Sequence, residues 1–182
     1  MKLAVLCTAV VLAASACAPP PPPPAPEPPP PSTAVRDSIK SAHDMVVGNL
    51  TKAAEQVPEN LYAYRATPEV RTLGRLFAHA ADASYAICSA VSGEKAPEGS
   101  VEETKLTKAD IQKALTDSVA FCGRAFDAVN DTTGGEAVTL FGSINTTRLG
   151  ALAFNNAHNM EHYGNIVTYM RLNKLVPPSS QQ

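Results

Sequence analysis

Along most of this chain the apolar residues recur every three or four positions, the spacing of a helix that buries one face. From Val35 to Val57 they fall at Val35, Ile39, Ala42, Val46, Leu50, Ala53 and Val57, which predicts a first helix. A second is predicted from "TPEV", where Thr67 can cap, Pro68 suits the first helical position and Glu69 favours the positive helix end. Its stripe runs Leu73, Leu76, Phe77, Ala80, Ile87, Cys88 and Val91. "SGEKAPEGSVEE" breaks the pattern, and a third helix opens at "TKAD", a capping box of Thr107 and Asp110, with the stripe Ile111, Leu115, Phe121, Cys122, Ala125 and Val129. After "NDTTGG" and an irregular stretch containing "VTLFGSIN", a fourth helix is predicted from about Thr146 to Leu172. Asn173 is suited to the left-handed closing conformation, and Pro177 and Pro178 stop further helix. Four amphipathic helices with no clear sheet and no internal repeat predict an all-α fold, a four-helix bundle over residues 35–178 with a short tail at 179–182.

The residues before the bundle do not share its pattern. Lys2, the apolar run Leu3 to Ala14 and the small residues leading to Cys17 form an export signal. The run is shorter than the roughly 20 apolar residues needed to cross a bilayer, so a permanent transmembrane helix is the weaker reading. "AASAC" is similar to a bacterial lipobox, which implies lipid on the Cys17 thiol and a protein anchored in the cell envelope; ordinary cleavage after "ASA" or "ACA" would give a secreted, periplasmic protein instead. Residues 18–34 hold most of the 16 prolines. Proline lacks an amide donor and fixes φ, so this stretch is predicted to be polyproline II, a semi-rigid stalk reaching roughly 40 Å at ~3.1 Å per residue.

Charge narrows the function classes. The formal charge is −2 and no Lys/Arg cluster is present, so a nucleic-acid partner lacks its electrostatic footprint. Neither a Ser/His/Asp motif nor a phosphate loop appears. The oligomeric state is open, a dimer being compatible.

Candidate chemistry rests on the four histidines. His158 and His162 lie one helical turn apart and can present ring nitrogens to one point. On the stripe Leu149, Leu152, Ala153, Met160, Tyr163, Val167 and Met170, a step of 100° per residue places both roughly 120° from the centre, off the main core. His79 projects about as far from its own stripe. Three imidazoles meeting in a groove would leave a metal an open position for water or substrate, whereas an HxxxH pair by itself reads first as solvated or core-edge histidines. The zinc-protease arrangement is excluded, because Glu161 does not follow His158 directly and projects ~80° from the two rings. His43, near the edge of the first stripe, reads as a packing histidine, with a fourth ligand as the alternative. Cys88 and Cys122 both lie on apolar stripes, and an oxidising compartment permits a disulfide between them. Helix direction decides: antiparallel helices would separate the two by ~18 Å, while parallel helices joined by a long crossover would bring them to within a turn or two.

"TPEVRTLGRLFAHAADASY" with the downstream "HNMEHYGNIVTYMRLNKLVPPSS" resembles the DinB-like (DinB/YfiT) proteins, over about Val35 to Ser180. The resemblance implies an up-down-down-up bundle and a divalent metal on three histidines, here His79, His158 and His162. Tyr163 and Asn173 stand where the family often has Arg and Gly. Zinc suits imidazole ligands first, and nickel, iron or manganese are compatible. The resemblance also implies thiol-dependent transferases or isomerases among the relatives, whose thiol cofactors are cytosolic. Two functions follow: a metal-dependent hydrolase or transferase of the envelope that activates water toward a pKa of ~7 or polarises a small substrate, or a non-catalytic metal-binding or interaction module tethered to the membrane.

Overall fold

A computed structural model describes residues 27–105 and 107–181. The export segment, Cys17 and residues 18–26 of the proline-rich stretch lie outside the described residues. The helices are α1 (Ala34–Gln56), α2 (Leu73–Ser92), the single-turn α3 (Val101–Thr104), α4 (Lys108–Asp127) and α5 (Arg148–Leu172). An antiparallel hairpin of β1 (Ala137–Leu140) and β2 (Ile144–Thr147) precedes α5. No helix among the described residues is long and apolar enough to cross a membrane.

Two apolar clusters define the course of the chain. Leu73 and Phe77 from the start of α2 meet Ile111 and Leu115 from the start of α4, with Leu50 and Val57 from the end of α1 and Ile166 and Met170 from the end of α5. At the other end, Ile87 and Val91 of α2 meet Phe121 and Phe126 of α4, Leu140 of β1 and Leu152 of α5. The halves pair only if α2 and α4 run parallel to each other and antiparallel to α1 and α5. The bundle is therefore up-down-down-up, as the family resemblance implies.

Parallel neighbours bring the two buried cysteines to equal depth. Cys88 and Cys122 are bonded, with Cα atoms 5.2 Å apart, so α2 and α4 are covalently tied inside the core. The Asn155 side-chain amide approaches both sulfurs from α5, at 3.8 and 3.6 Å.

The boundaries differ from the sequence reading in four places. α2 starts at Leu73 and is capped not by Thr67 but by Thr72, whose hydroxyl accepts from the Arg75 amide. Residues 62–64 dock beside this start and accept the Leu73 and Gly74 amides on the Tyr64 and Tyr62 carbonyls, so an earlier helical turn has no place to form. Gly74 permits that approach, since a Cβ there would meet the Tyr62 ring at 2.9 Å. The second correction is the hairpin, whose four-residue strands are too short to show alternation; Thr147 ends it and caps α5 through the Gly150 amide. Third, "VEET" (Val101–Thr104) is helical with Ser100 as its cap, because the Asp82 carboxylate accepts from Ser100 Oγ, Val101 N–H and Glu102 N–H and so holds α3 against α2. Finally, Lys174 (φ 60°), not Asn173, takes the left-handed conformation, while the Asn173 side chain donates to the Tyr169 carbonyl.

For the 34-residue separation that the Cys88–Cys122 bond closes, chain entropy predicts a stabilisation of about 3–4 kcal/mol. Denaturant unfolding of oxidised against fully reduced protein measures it. Mass analysis in which both thiols alkylate after unfolding without reductant would contradict the bond.

Candidate metal centre

The three histidines singled out from the sequence converge. His79 comes from the first half of α2, and His158 and His162 from the middle of α5, which runs antiparallel beside it. Ring centroids lie 4.4 Å apart for His158–His162, 4.8 Å for His79–His162 and 5.2 Å for His79–His158. One ring nitrogen from each falls within 4.8 Å of the others, and they form a group able to hold a metal ion.

The expected placement of His162 needs correction. Sequence projection put it off the core, yet it is 7 % exposed and lies on the buried face of α5 with Ala151, Leu152, Asn155, Asn159, Tyr163, Ile166 and Met170. That face is rotated by about 90° from the stripe drawn through Met160 and Val167. The cause is polar residues in the core: Asn155 and Asn159 are both buried, while Met160 is 46 % exposed. Ser84 Oγ donates to Asn155 Oδ1, and the Asn159 amide donates to Ser84 Oγ and Asn155 Oδ1, so α2 and α5 share a polar seam beside the histidines.

Each imidazole is prepared differently. The ring of His79 places Nδ1 3.1 Å from Glu102 Oε2. An ionised carboxylate only accepts, so the proton sits on Nδ1 and the Nε2 lone pair is left for a ligand. The other Glu102 oxygen accepts from Arg71 Nε at 2.9 Å, and the Arg71 carbonyl accepts from Tyr169 of α5. Sequence reasoning missed Glu102, which sat in an apparent break, and Arg71, which sat inside a helix drawn too long. His158 and His162 turn their Nε2 atoms toward each other at 3.1 Å, with both Nδ1 atoms buried and unpartnered. Burial first, then the neighbouring imidazoles, push the His162 pKa down to about 4 and lower that of His158. Neutral rings are the form that binds metal.

This donor set fits one divalent ion. Zn–N bonds of about 2.0–2.1 Å at tetrahedral angles set neighbouring nitrogens about 3.3 Å apart, close to the separation of the two Nε2 atoms. Two inward imidazoles, a third oriented by a carboxylate and a partly exposed side at His79 and His158 are the parts of a centre with an open position.

The other candidates lie elsewhere. His43 is a packing histidine, 2 % exposed, tilted against Phe126 at 5.0 Å and bonded through Nδ1 to Asn156 Oδ1 at 3.0 Å. It is not part of the triad. Glu161 is exposed. A cavity of about 570 Å³ bordered by Tyr85, Pro97, Val101 and Ala114 includes none of the three histidines.

Comparison with known proteins agrees with the fold. A comparison with curated proteins finds no match. Among solved structures, a DinB-like protein from Bacillus cereus superposes with a TM-score of 0.66 at 16 % identity, over 78 % of this chain and 95 % of that one. Two structures of the mycothiol-dependent maleylpyruvate isomerase, one of them a point mutant, give TM-scores of 0.60 at 15 % and 14 % identity. They cover 72 % of this chain, which spans only 60 % of that enzyme. The model of the DinB superfamily matches residues 42–166, a stretch that takes in all three histidines and most of the bundle. The chain belongs to the DinB superfamily.

Proposed function

We propose that this protein is an exported divalent-metal protein, tethered to a membrane through Cys17, whose centre at His79, His158 and His162 acts on a small substrate as a metal-dependent hydrolase or transferase. The observation that carries this reading is the convergence of three imidazoles on a partly exposed side of the bundle. When bound there, a divalent ion supplies Lewis-acid polarisation and lowers the pKa of a ligated water toward ~7. The chain's own residues orient and desolvate. Glu102 fixes the His79 ring, Arg71 and the three hydrogen bonds to Asp82 fix Glu102, and the α2–α5 packing keeps the His162 ring and the Nδ1 atom of His158 out of water.

A non-catalytic metal-binding module is the second reading. It draws support from the carboxylates: Glu102 already serves His79 and Arg71, and Glu161 faces solvent, so neither is free as a general base at the centre. Metal-dependent turnover across ester, amide and phosphate substrates supports the first reading; stoichiometric metal binding without turnover supports the second.

Replacing His79, His158 or His162 singly by Ala should abolish stoichiometric metal, read by elemental analysis of purified protein, while His43→Ala keeps it. Full metal retention in His162→Ala would rule out the centre. Glu102→Gln should keep the fold and weaken metal affinity by about 10–100-fold.

The sign of the pH dependence follows from His162. The unfolded ring takes up a proton near 6.5, and the folded ring resists until about 4. Between those values the unfolded state binds more protons, so chelator-treated protein loses stability as pH falls through that window, by up to about 3 kcal/mol from this ring. Urea midpoints measured from pH 7 to 4 should fall, and His162→Ala should flatten the slope.

The tether predicts acyl labelling that disappears, together with membrane association, in Cys17→Ser. Two or more chains are needed for stable attachment. Unchanged label and fractionation in that variant would show that Cys17 is not the anchor.

A further inference from the structure

Phe141 is out of place by the rules of turns. It occupies the hairpin tip with φ 50°, and Gly142 follows with φ 73°. The left-handed region is where Gly or Asn serves a turn without strain, and a bulky side chain seldom adopts it. Burial does not offset the strain, because Phe141 is 56 % exposed. Strain at an exposed residue beside a functional site points to use of the side chain rather than to folding.

The ring is not isolated. It meets Phe154 edge-on, with centroids 6.4 Å apart, and Phe154 is itself 37 % exposed. Phe154 in turn stacks along His158, with centroids 6.4 Å apart and planes at 27°. Phe154 precedes His158 by one helical turn, which places both on the same side of α5. A continuous aromatic surface therefore runs from the hairpin tip to one of the three metal-facing imidazoles. Arg71, bonded through Glu102 to His79, supplies a positive charge near the centre. A cationic ligand would meet that charge and the metal's own, so the rings are not suited here to capture a cation.

We propose that Phe141 and Phe154 form a ledge that seats the flat, apolar or aromatic part of a small molecule whose oxygen or nitrogen donor reaches the metal. This rests on the open position of the centre proposed above. The ledge selects the ligand by its apolar body, and the metal binds its polar end. Phe141 contributes to ligand selection at the expense of stability.

The test uses cobalt(II)-loaded protein, whose visible spectrum reports on ligands entering the coordination sphere, and two chelating probes that differ in one ring. Benzohydroxamate should bind roughly tenfold or more tightly than acetohydroxamate, the aromatic ring adding apolar burial and ring contacts. In the Phe141→Gly, Phe154→Ala double variant that ratio should fall to within about twofold, with acetohydroxamate affinity unchanged, since the loss is confined to the apolar contact. Phe141→Gly alone should reduce the ratio and leave thermal stability equal or higher, because it relieves the left-handed strain; a purely structural Phe141 would lower it. An unchanged ratio in the double variant overturns the ledge, as does equal loss of both probes. So does a Phe141→Gly variant that dissolves a dimer and keeps the ratio, which would make the ledge a self-contact. If neither probe alters the spectrum of the cobalt-loaded native protein, the open position itself fails, and the ledge with it.

Discussion

The parallel pairing of α2 with α4 is the constraint on which the rest depends. Two helices in sequence can run parallel only if the chain between them returns along the length of the first, about 30 Å for a helix of α2's 20 residues. Here residues 93–105 run back along α2, and α3 lies on the way. Asp82 arrests it by accepting the Ser100 hydroxyl and two α3 amides, which brings Glu102 to the His79 ring. A direct α2–α4 turn would have left His79 without its carboxylate. The crossover that the topology demands thus supplies the group that orients one imidazole, and the Cys88–Cys122 bond holds the parallel pair together a few turns away.

The centre is built at a local cost. His162 and the Nδ1 atoms of both α5 histidines are out of water, and neither Nδ1 has a partner among the described residues. An unmet buried polar atom costs about 1–3 kcal/mol. The same desolvation keeps the rings neutral, which leaves their lone pairs free for a cation placed between the converging nitrogens. Stability given up by the metal-free protein would be the counterpart of affinity for an ion held there, as where metal binding and folding are coupled.

Much of this was legible from residue spacing. α1, α4 and the Thr107 cap follow from three-and-four periodicity and capping chemistry, and the histidine trio from an i, i+4 pair, the projection of His79 off its own stripe, and a family resemblance that joined the three. What was not legible has physical reasons. The phase of α5 is invisible to an apolar stripe because Asn155, Asn159 and His162 occupy its buried face, and the exposed Met160 pulled the stripe the wrong way. Thr67 resembles a cap as well as Thr72 does, and only the docking of residues 62–64 decides between them. Glu102 depends on a tertiary contact with Asp82 in a stretch of weak local pattern, and the Phe141 tip on strain that composition does not reveal.

The polar seam that hid the phase of α5 also fixes its register. The core is two apolar clusters, and between them along the helices lie Ser84 on α2, Ser118 on α4, and Asn155 and Asn159 on α5, all buried. A purely apolar seam would tolerate a slide of α5 along α2 by one turn, about 5.4 Å, at modest cost in packing. Such a slide would leave only one of the two asparagines level with Ser84 and carry the other toward Ile87 or Phe77, where its amide would be left unpaired. With about 1–3 kcal/mol for each stranded group, the unpaired oxygen and nitrogen of that one amide oppose the slide. The seam therefore keeps α5 at the one level where His158 and His162 stand opposite His79. Three imidazoles from distant parts of the sequence meet because a neighbouring set of neutral polar side chains makes the alternative levels unfavourable.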